Sequence, residues 1–161
     1  MLRTSPWLYR PGIEEAGCVQ MNVPDDARLL TLPGDRRAAR EAREFASKVL
    51  SDWAVQGEAV GDLLLIVSEL VANAVVHGAP PVHLRLWIAD GMVHGAVDDH
   101  GPGRPQFANS GVPHTLDLRE HGRGLTLVSA IASSVWWDLL IGGGVRVGFS
   151  YVLAAEEHSD H

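Results

Sequence analysis

Residues 63–78 read LLLIVSELVANAVVHG, and the fold turns on how that stretch is read. It is apolar almost all round, the mark of a helix buried on most of its circumference rather than of a surface helix with one apolar stripe. Into that background the sequence sets Glu69, Asn73 and His77 at intervals of four, which on a 3.6-residue helix stack along one face within about two turns. A buried carboxylate without a partner, a metal or a proton costs several kcal/mol, roughly, so the row must face something polar. Capping of nearby backbone accounts for any one of Ser68, Glu69 and Asn73, and a helix-end position beside Gly78 accounts for His77. None of these accounts for the row. The functional reading is a carboxylate and an amide lining a wet, magnesium-containing nucleotide pocket, beside the structural one of capping and a helix end.

On the N-terminal side, Ala38, Ala42, Phe45, Ala46, Val49, Leu50 and Trp53 repeat at three and four, which predicts an amphipathic helix of about 17 residues with Asp35 as its N-cap. Gln56-Gly57 breaks it. Arg28–Leu32 is a short strand candidate stopped by Pro33-Gly34. Residues 1–27 mix prolines, glycines and charges without a period and read as a leader, disordered or lying on the surface, with Trp7, Leu8 and Tyr9 available to a partner. On the C-terminal side, Gly78 and Pro80-Pro81 stop the central helix and the period changes to two. Val82, Leu84, Leu86 and Ile88 then alternate with His83, Arg85 and Trp87, Asp90-Gly91 signals a hairpin turn, and Met92–Val97 returns. That strand leads into Asp98-Asp99-His100-Gly101-Pro102-Gly103. Residues 104–121 show no period, and an 18-residue loop in a domain of this size is usually a lid or binding loop. Gly122-Arg123-Gly124 opens a second buried helix over Leu125–Ala132. Val135–Ile141, the turn Gly142–Gly144 and Val145–Leu153 predict a closing hairpin, followed by a charged tail over 154–161.

Composition narrows the class. At 161 residues the chain is long enough for one domain with a sizeable core, here placed at 28–153, and it shows no internal repeat. A net charge of −7 argues against a nucleic-acid surface, which needs a basic face to neutralise phosphates. A single cysteine, Cys18, excludes an intramolecular disulfide framework. The longest apolar run carries Glu69 and Asn73 mid-way, which argues against a membrane span, and the first residues lack the apolar core of a signal peptide. The expected location is the cytoplasm.

Two further constellations bear on chemistry. Asp99-x-Gly101-x-Gly103 after a strand offers a carboxylate able to accept a hydrogen bond from an amine, then glycines that let backbone approach a flat ligand. Gly122-x-Gly124 ahead of an apolar helix presents backbone N–H groups at a positive helix end, a seat for phosphate. Each is weak alone, and neither completes a G-x-x-x-x-G-K-[ST] or dinucleotide fingerprint. A zinc site is disfavoured, since one cysteine stands with no close histidine pair outside the tail.

In order along the chain, however, SELVANAVVHG, DDHGPGRP and GRGLTLV resemble three boxes of the ATP-binding domain shared by gyrase, Hsp90, histidine kinases and MutL. They are most similar to its small bacterial branch of anti-sigma-factor-type serine kinases, over roughly residues 28–153. The resemblance implies an α+β fold, a two-layer α/β sandwich with helices on one face of a mixed, mostly antiparallel sheet. It implies ATP and Mg²⁺, with Asn73 as the metal ligand and Glu69 orienting or deprotonating the attacking group. It further implies that Asp99 bonds the adenine amine, that Gly101, Gly103, Gly122, Gly124 and Leu125 shape the pocket and hold phosphate, and that His77 belongs to the pocket or the helix end. Protein kinases of this branch usually carry an arginine just ahead of the third box. Here Glu120-His121 stands there, with Arg119 and Arg123 flanking as substitutes. The partners implied are a sigma factor and an anti-anti-sigma (STAS-type) protein, with homodimerisation left open. A histidine kinase is disfavoured, because no phospho-acceptor hairpin fits in the chain. The leading expectation is therefore a serine/threonine protein kinase and switch. The alternative is an ATP-binding switch that regulates a partner by contact alone.

Overall fold

Apolar spacing of three and four before Gly78 becomes helix, and the alternation after Pro81 becomes sheet. The computed structural model describes residues 7–9, 23–101 and 123–154. In chain order the elements are β1 (Trp7–Tyr9), β2 (Arg28–Leu32), α1 (Ala38–Asp52), α2 (Glu58–His77), β3 (Val82–Ala89), β4 (Met92–Asp99), α3 (Arg123–Ile131), β5 (Ser134–Leu139) and β6 (Val145–Val152). The strands form one sheet in the order β1-β5-β6-β4-β3-β2, antiparallel at every described pairing. The helices pack on one of its faces, so the expected two-layer α+β sandwich is the fold.

The core lies between the layers. Ala38, Ala42, Ala46, Val49 and Leu50 of α1 and Leu63, Ile66, Val67, Leu70, Val71 and Ala74 of α2 pack with Val128 of α3. They meet Leu32, Val82, Leu84, Leu86, Val93, Val97, Val135 and Phe149 of the sheet. Burial of this apolar area at about 25 cal/mol per Å² is the dominant stabilising term. It also explains the composition of α2. That helix is long and apolar enough, at a mean hydropathy of 1.9, to cross a membrane by length and composition, yet here it contacts α1, α3, β3 and β4.

Turns follow the residues that set them. Asp90 and Gly91 both have positive φ, 54° and 72°, as a two-residue hairpin of the primed type requires, and the register closes on Ala89↔Met92. That register fixes which side chains share a face. On β3 and β4 the pairs Leu84↔Val97 and Leu86↔Gly95 point to the helices. The pairs His83↔Asp98, Arg85↔Ala96 and Trp87↔His94 point away. On this outer face Trp136 lies over Gly148, where a Cβ would overlap the indole, and it clusters with Trp87 and Ala96. His94 stacks on Trp87 with ring centroids 5.4 Å apart and its Nδ1 meets Ser150 Oγ at 2.8 Å.

The sequence reading needs correcting at two places. Residues 1–27 are not without strand structure, because Trp7–Tyr9 pairs with β5 in the register Leu8↔Trp136. Three residues are too few to show a period, and their partner lies over 120 positions away, so nothing local marks them. Asp35 is not the N-cap of α1. Arg37 holds that position, and the Asp35 carboxylate instead accepts the Arg37 backbone N–H at 2.8 Å and its guanidinium at 3.0 Å. An aspartate two residues upstream bonds the same backbone through an Asx turn, which sequence spacing does not tell from a cap. The expected lid over 104–121 lies outside the described residues.

Candidate functional site

The C-terminal half of α2 carries Glu69 and Asn73, both half-buried on a helix whose neighbouring turns are core. Each four-residue step on an α-helix turns by about 40°, so Glu69, Asn73 and His77 form a slanting stripe that runs toward the helix end. The described residues supply no hydrogen bond or ion pair to the side chains of Glu69 or Asn73, whereas His77 has an interaction partner. Two half-buried polar groups on a core helix, without a partner among the described residues, are candidates for contact with a ligand.

At the helix end the chain turns through Gly78, whose N–H bonds the Ala74 carbonyl at 2.9 Å. Gly78 is required by a close approach: a Cβ there would overlap the Asp99 carboxyl group and the Ala74 carbonyl. Gly101 is packed against the same place, its ideal Cβ lying 2.8 Å from Gly78 Cα and 3.0 Å from Ala79 N. The first and second sequence boxes are thus pressed together. His100 N–H donates to the Ala79 carbonyl at 2.9 Å, and the Asp99 carboxylate accepts the Gly101 N–H at 2.8 Å and the Ala79 N–H. Asp99 projects to the helix side of β4, since its strand partner is Val145 and its neighbour Asp98 pairs with His83 on the outer face. Burial pushes its carboxyl pKa up, partly countered by the two backbone donors.

The β5–β6 turn closes the site from the other side. Gly142, Gly143 and Gly144 have φ of 90°, 100° and 117°, and a Cβ on Gly144 would overlap the Asp99 carbonyl oxygen. Only glycine allows that turn to lie on the strand end. Behind Asp99, on the outer face, Asp98 is 5% exposed and held by two arginines. Arg85 Nη1 donates to Oδ2 at 2.6 Å, while Arg146 donates from Nε to Oδ1 at 2.6 Å and from Nη2 to Oδ2 at 2.7 Å. Arg146 is held above its ordinary pKa by the bond to Asp98 and by Asp138 nearby.

Of the residues singled out from sequence, Glu69, Asn73, His77, Asp99 and Gly101 fall on α2 and the end of β4, and the contact of Gly78 with Asp99 and Gly101 joins the two elements. Arg123, Gly124 and Leu125 form the first turn of α3, which packs on α2, and their side chains lie outside the described set. Gly103, Arg119 and Gly122 lie outside the described residues as well. Sequence reading missed the close packing of Gly78 on Asp99, Gly144 against Asp99, and the Arg85–Asp98–Arg146 cluster. A partial signal existed for the last, because Arg85 and Arg146 occupy outward positions of alternating strands.

Magnesium ions bind through one or two protein oxygens plus substrate phosphates rather than through a full protein cage. No group of three or more His, Cys, Asp or Glu that could hold a metal occurs among the described residues. The Asn73 amide oxygen, without a described partner, fits a phosphate-linked Mg²⁺.

Comparison with known proteins agrees with this geometry. The sequence matches the family described as Histidine kinase-like ATPase domain over residues 32–148. No curated protein matches the sequence. Among solved structures, the RsbU and RsbW domains of Rv1364c from Mycobacterium tuberculosis align at a TM-score of 0.58 and 24% identity. That alignment covers 83% of this chain and 34% of that one. The chain therefore spans about a third of the structure it matches, and the likeness is one of fold. A histidine kinase domain from Erythrobacter litoralis EL346 aligns at a TM-score of 0.45 and 21% identity, covering 71% and 60% of the two chains. The mycobacterial sensor histidine kinase MprB aligns at 0.48 and 16%, covering 78% and 96%.

Proposed function

The chain belongs to the histidine kinase-like ATPase domain family, and from that premise we propose that it is an ATP-dependent serine/threonine protein kinase serving as a regulatory switch. The observation that carries this reading is the contact between Asp99 and the end of α2. It fixes a carboxylate acceptor beside a helix whose next polar groups, Asn73 and Glu69, have no described partner. On this reading the adenine amine donates to Asp99, and the glycine-lined turn at Gly101 lets the flat base approach the backbone. Asn73 would hold Mg²⁺. When bound, that ion neutralises charge on the transferred phosphoryl group, which is most of what such a transfer asks of a protein. Glu69 orients the attacking hydroxyl and accepts its proton. The first turn of α3, with Gly122, Gly124 and Leu125, directs backbone N–H groups at phosphate. Arg119 or Arg123 stabilises charge on the γ-phosphoryl oxygens.

The partners belong to the same proposal. The three sequence boxes resemble the anti-sigma-factor branch, and a solved structure similar to this fold carries a domain titled RsbW beside one titled RsbU. We assign residues 28–153, with β1 (Trp7–Tyr9) added at the sheet edge, to the kinase-like domain, acting in the cytoplasm on a sigma factor and a STAS-type anti-anti-sigma protein. Incubation with labelled ATP, Mg²⁺ and a candidate anti-anti-sigma protein should yield phosphoserine or phosphothreonine on the partner. Tight ATP binding without transfer to any such partner would instead favour a switch that acts by contact alone. Glu120-His121, standing where this branch usually has arginine, is the feature that supports that second reading.

A further inference from the structure

Consecutive residues of a strand point to opposite faces, so Asp98 and Asp99 share a backbone but not an environment. Asp99 takes two backbone donors on the helix side. Asp98 is clasped on the outer face by side chains from both neighbouring strands, Arg85 of β3 and Arg146 of β6, through three short charge-assisted bonds. Arg146 binds in fork geometry, one nitrogen to each carboxylate oxygen, which fixes orientation as well as distance. The clasp sits at the last turn of the ladder: Asp98↔Arg146 is followed by Asp99↔Val145, and the glycine turn of Gly144 then lies on the Asp99 carbonyl. Beyond Asp99 the strand ends. Strand ends fray, and no other described side-chain bond ties β4 to both of its neighbours at this point.

We propose that Asp98, locked by Arg85 and Arg146, is a positioning residue that sets the Asp99 carboxylate for recognition of the base. The clasp holds the Asp98–Asp99 peptide against β3 and β6. The Asp99 side chain then emerges at a fixed height beside Gly78 and Ala79, where a shift of about 1 Å would misalign its acceptor oxygen. Arg85 and Arg146 do not touch the base. They act through the strand, from the face of the sheet opposite the nucleotide, and they make base selectivity depend on a charge network no pocket residue belongs to. This inference rests on the reading of Asp99 as the adenine acceptor.

The test compares ADP with IDP, whose base carries a carbonyl in place of the exocyclic amine, by calorimetry in Mg²⁺. A correctly aimed Asp99 favours ADP by about tenfold or more, the worth of one hydrogen bond to a charged group. Asp98→Asn and Arg146→Met should each cut that preference severalfold while IDP affinity changes little. Arg146→Lys, which keeps the charge but loses the fork, should fall between Arg146→Met and wild type. A purely structural role would instead lower ADP and IDP affinity together and leave their ratio unchanged, and that result overturns the proposal. Should Asp98→Asn not fold, Arg85→Gln and Arg146→Lys carry the same comparison, because the first leaves the carboxylate one charged partner and the second leaves it two without the fork. Asp99→Asn is the control that separates the two claims. If it leaves the ratio at the wild-type value, the reading of Asp99 itself fails. If it collapses the ratio while the Asp98 and Arg146 variants do not, only the positioning role fails.

Discussion

The two halves of α2 treat their polar side chains in opposite ways. Near its N-terminus the Asp62 carboxylate accepts a hydrogen bond from Tyr151 Oη of β6 at 2.7 Å, so a half-buried charge is satisfied by the fold itself. About two and three turns later Glu69 and Asn73 are also half-buried, and the described residues offer neither a partner. Helix, burial and residue types are alike in the two places. The difference is whether a described residue of the sheet reaches back to the polar group, as Tyr151 does to Asp62.

The comparison breaks most severely if the contact between α2 and β4 is removed. Gly78→Ala places a methyl group where the Asp99 carboxyl lies, so either the helix end or the strand end must move. Overpacking of this kind costs about 1–3 kcal/mol of stability. Displacing Asp99 should in addition weaken ADP by roughly a hundredfold, or about 2.7 kcal/mol. Thermal melting and calorimetry together read both effects. An alanine variant that melts and binds as wild type does would show that the two sequence boxes need not touch.

The two unpartnered residues should then part from each other. Asn73→Ala should lower nucleotide affinity in Mg²⁺ by about tenfold or more and have little effect when EDTA replaces the metal. Glu69→Gln should leave binding nearly intact and abolish phosphoryl transfer, since an amide accepts no proton at neutral pH. If both variants lose binding equally, Glu69 belongs with Asp62 as a structural group and the contrast within α2 disappears.

How much of this was legible in the sequence depends on the range of the interaction. The switch from period 3.6 to period 2 after Gly78, the Asp90-Gly91 turn and the triple glycine are local signals, and each became the element it predicted. Glu69 and Asn73 stand out in the sequence because two polar misfits on an apolar helix are visible without knowing what faces them. The contact of Gly78 with Asp99, the seat of Gly144 on the Asp99 carbonyl and the clasp on Asp98 do not. They join positions 13 to 48 residues apart, and they exist only once strand register is set. The β1 strand failed for the same reason, since its partner strand is near the other end of the chain.

A smaller effect is expected from pH. Burial raises the Asp99 pKa, so on acidification this carboxyl protonates earlier than an ordinary aspartate at 3.8, and it then no longer presents an ionised acceptor. ADP affinity should therefore begin to fall above the pH at which exposed carboxylates titrate, and the loss should be absent in Asp99→Asn, which has nothing to protonate. The stability linkage has the opposite sign. A group whose folded pKa is raised binds its proton more readily folded than unfolded, so its contribution favours the folded state as pH falls and disappears as pH rises through the folded value. Binding lost while this site grows no less stable would attribute the loss to the acceptor rather than to unfolding. Parallel loss of affinity in wild type and Asp99→Asn would assign it elsewhere.

The smallest effect should come from the satisfied end of α2. Tyr151→Phe removes the hydroxyl that donates to Asp62 and leaves the ring in place, so the expected loss is about 1 kcal/mol, the net worth of one partly exposed hydrogen bond. For a chain of this size that corresponds to roughly 2–4 °C in Tm. Nucleotide affinity should not change, because Asp62 lies about two turns from Glu69 on the helix. Alkaline pH gives an independent check. Burial, and then the bond to Asp62 and its charge, raise the Tyr151 pKa from 10.0 to about 12. The folded chain therefore holds this proton after the unfolded chain has released it, and the stabilisation is complete below pH 10 and lost as pH climbs toward 12. Wild type should show that extra loss and Tyr151→Phe should not. A phenylalanine variant that melts lower but also binds ADP more weakly would mean that the two ends of α2 are coupled, and that the contrast between them is one of degree.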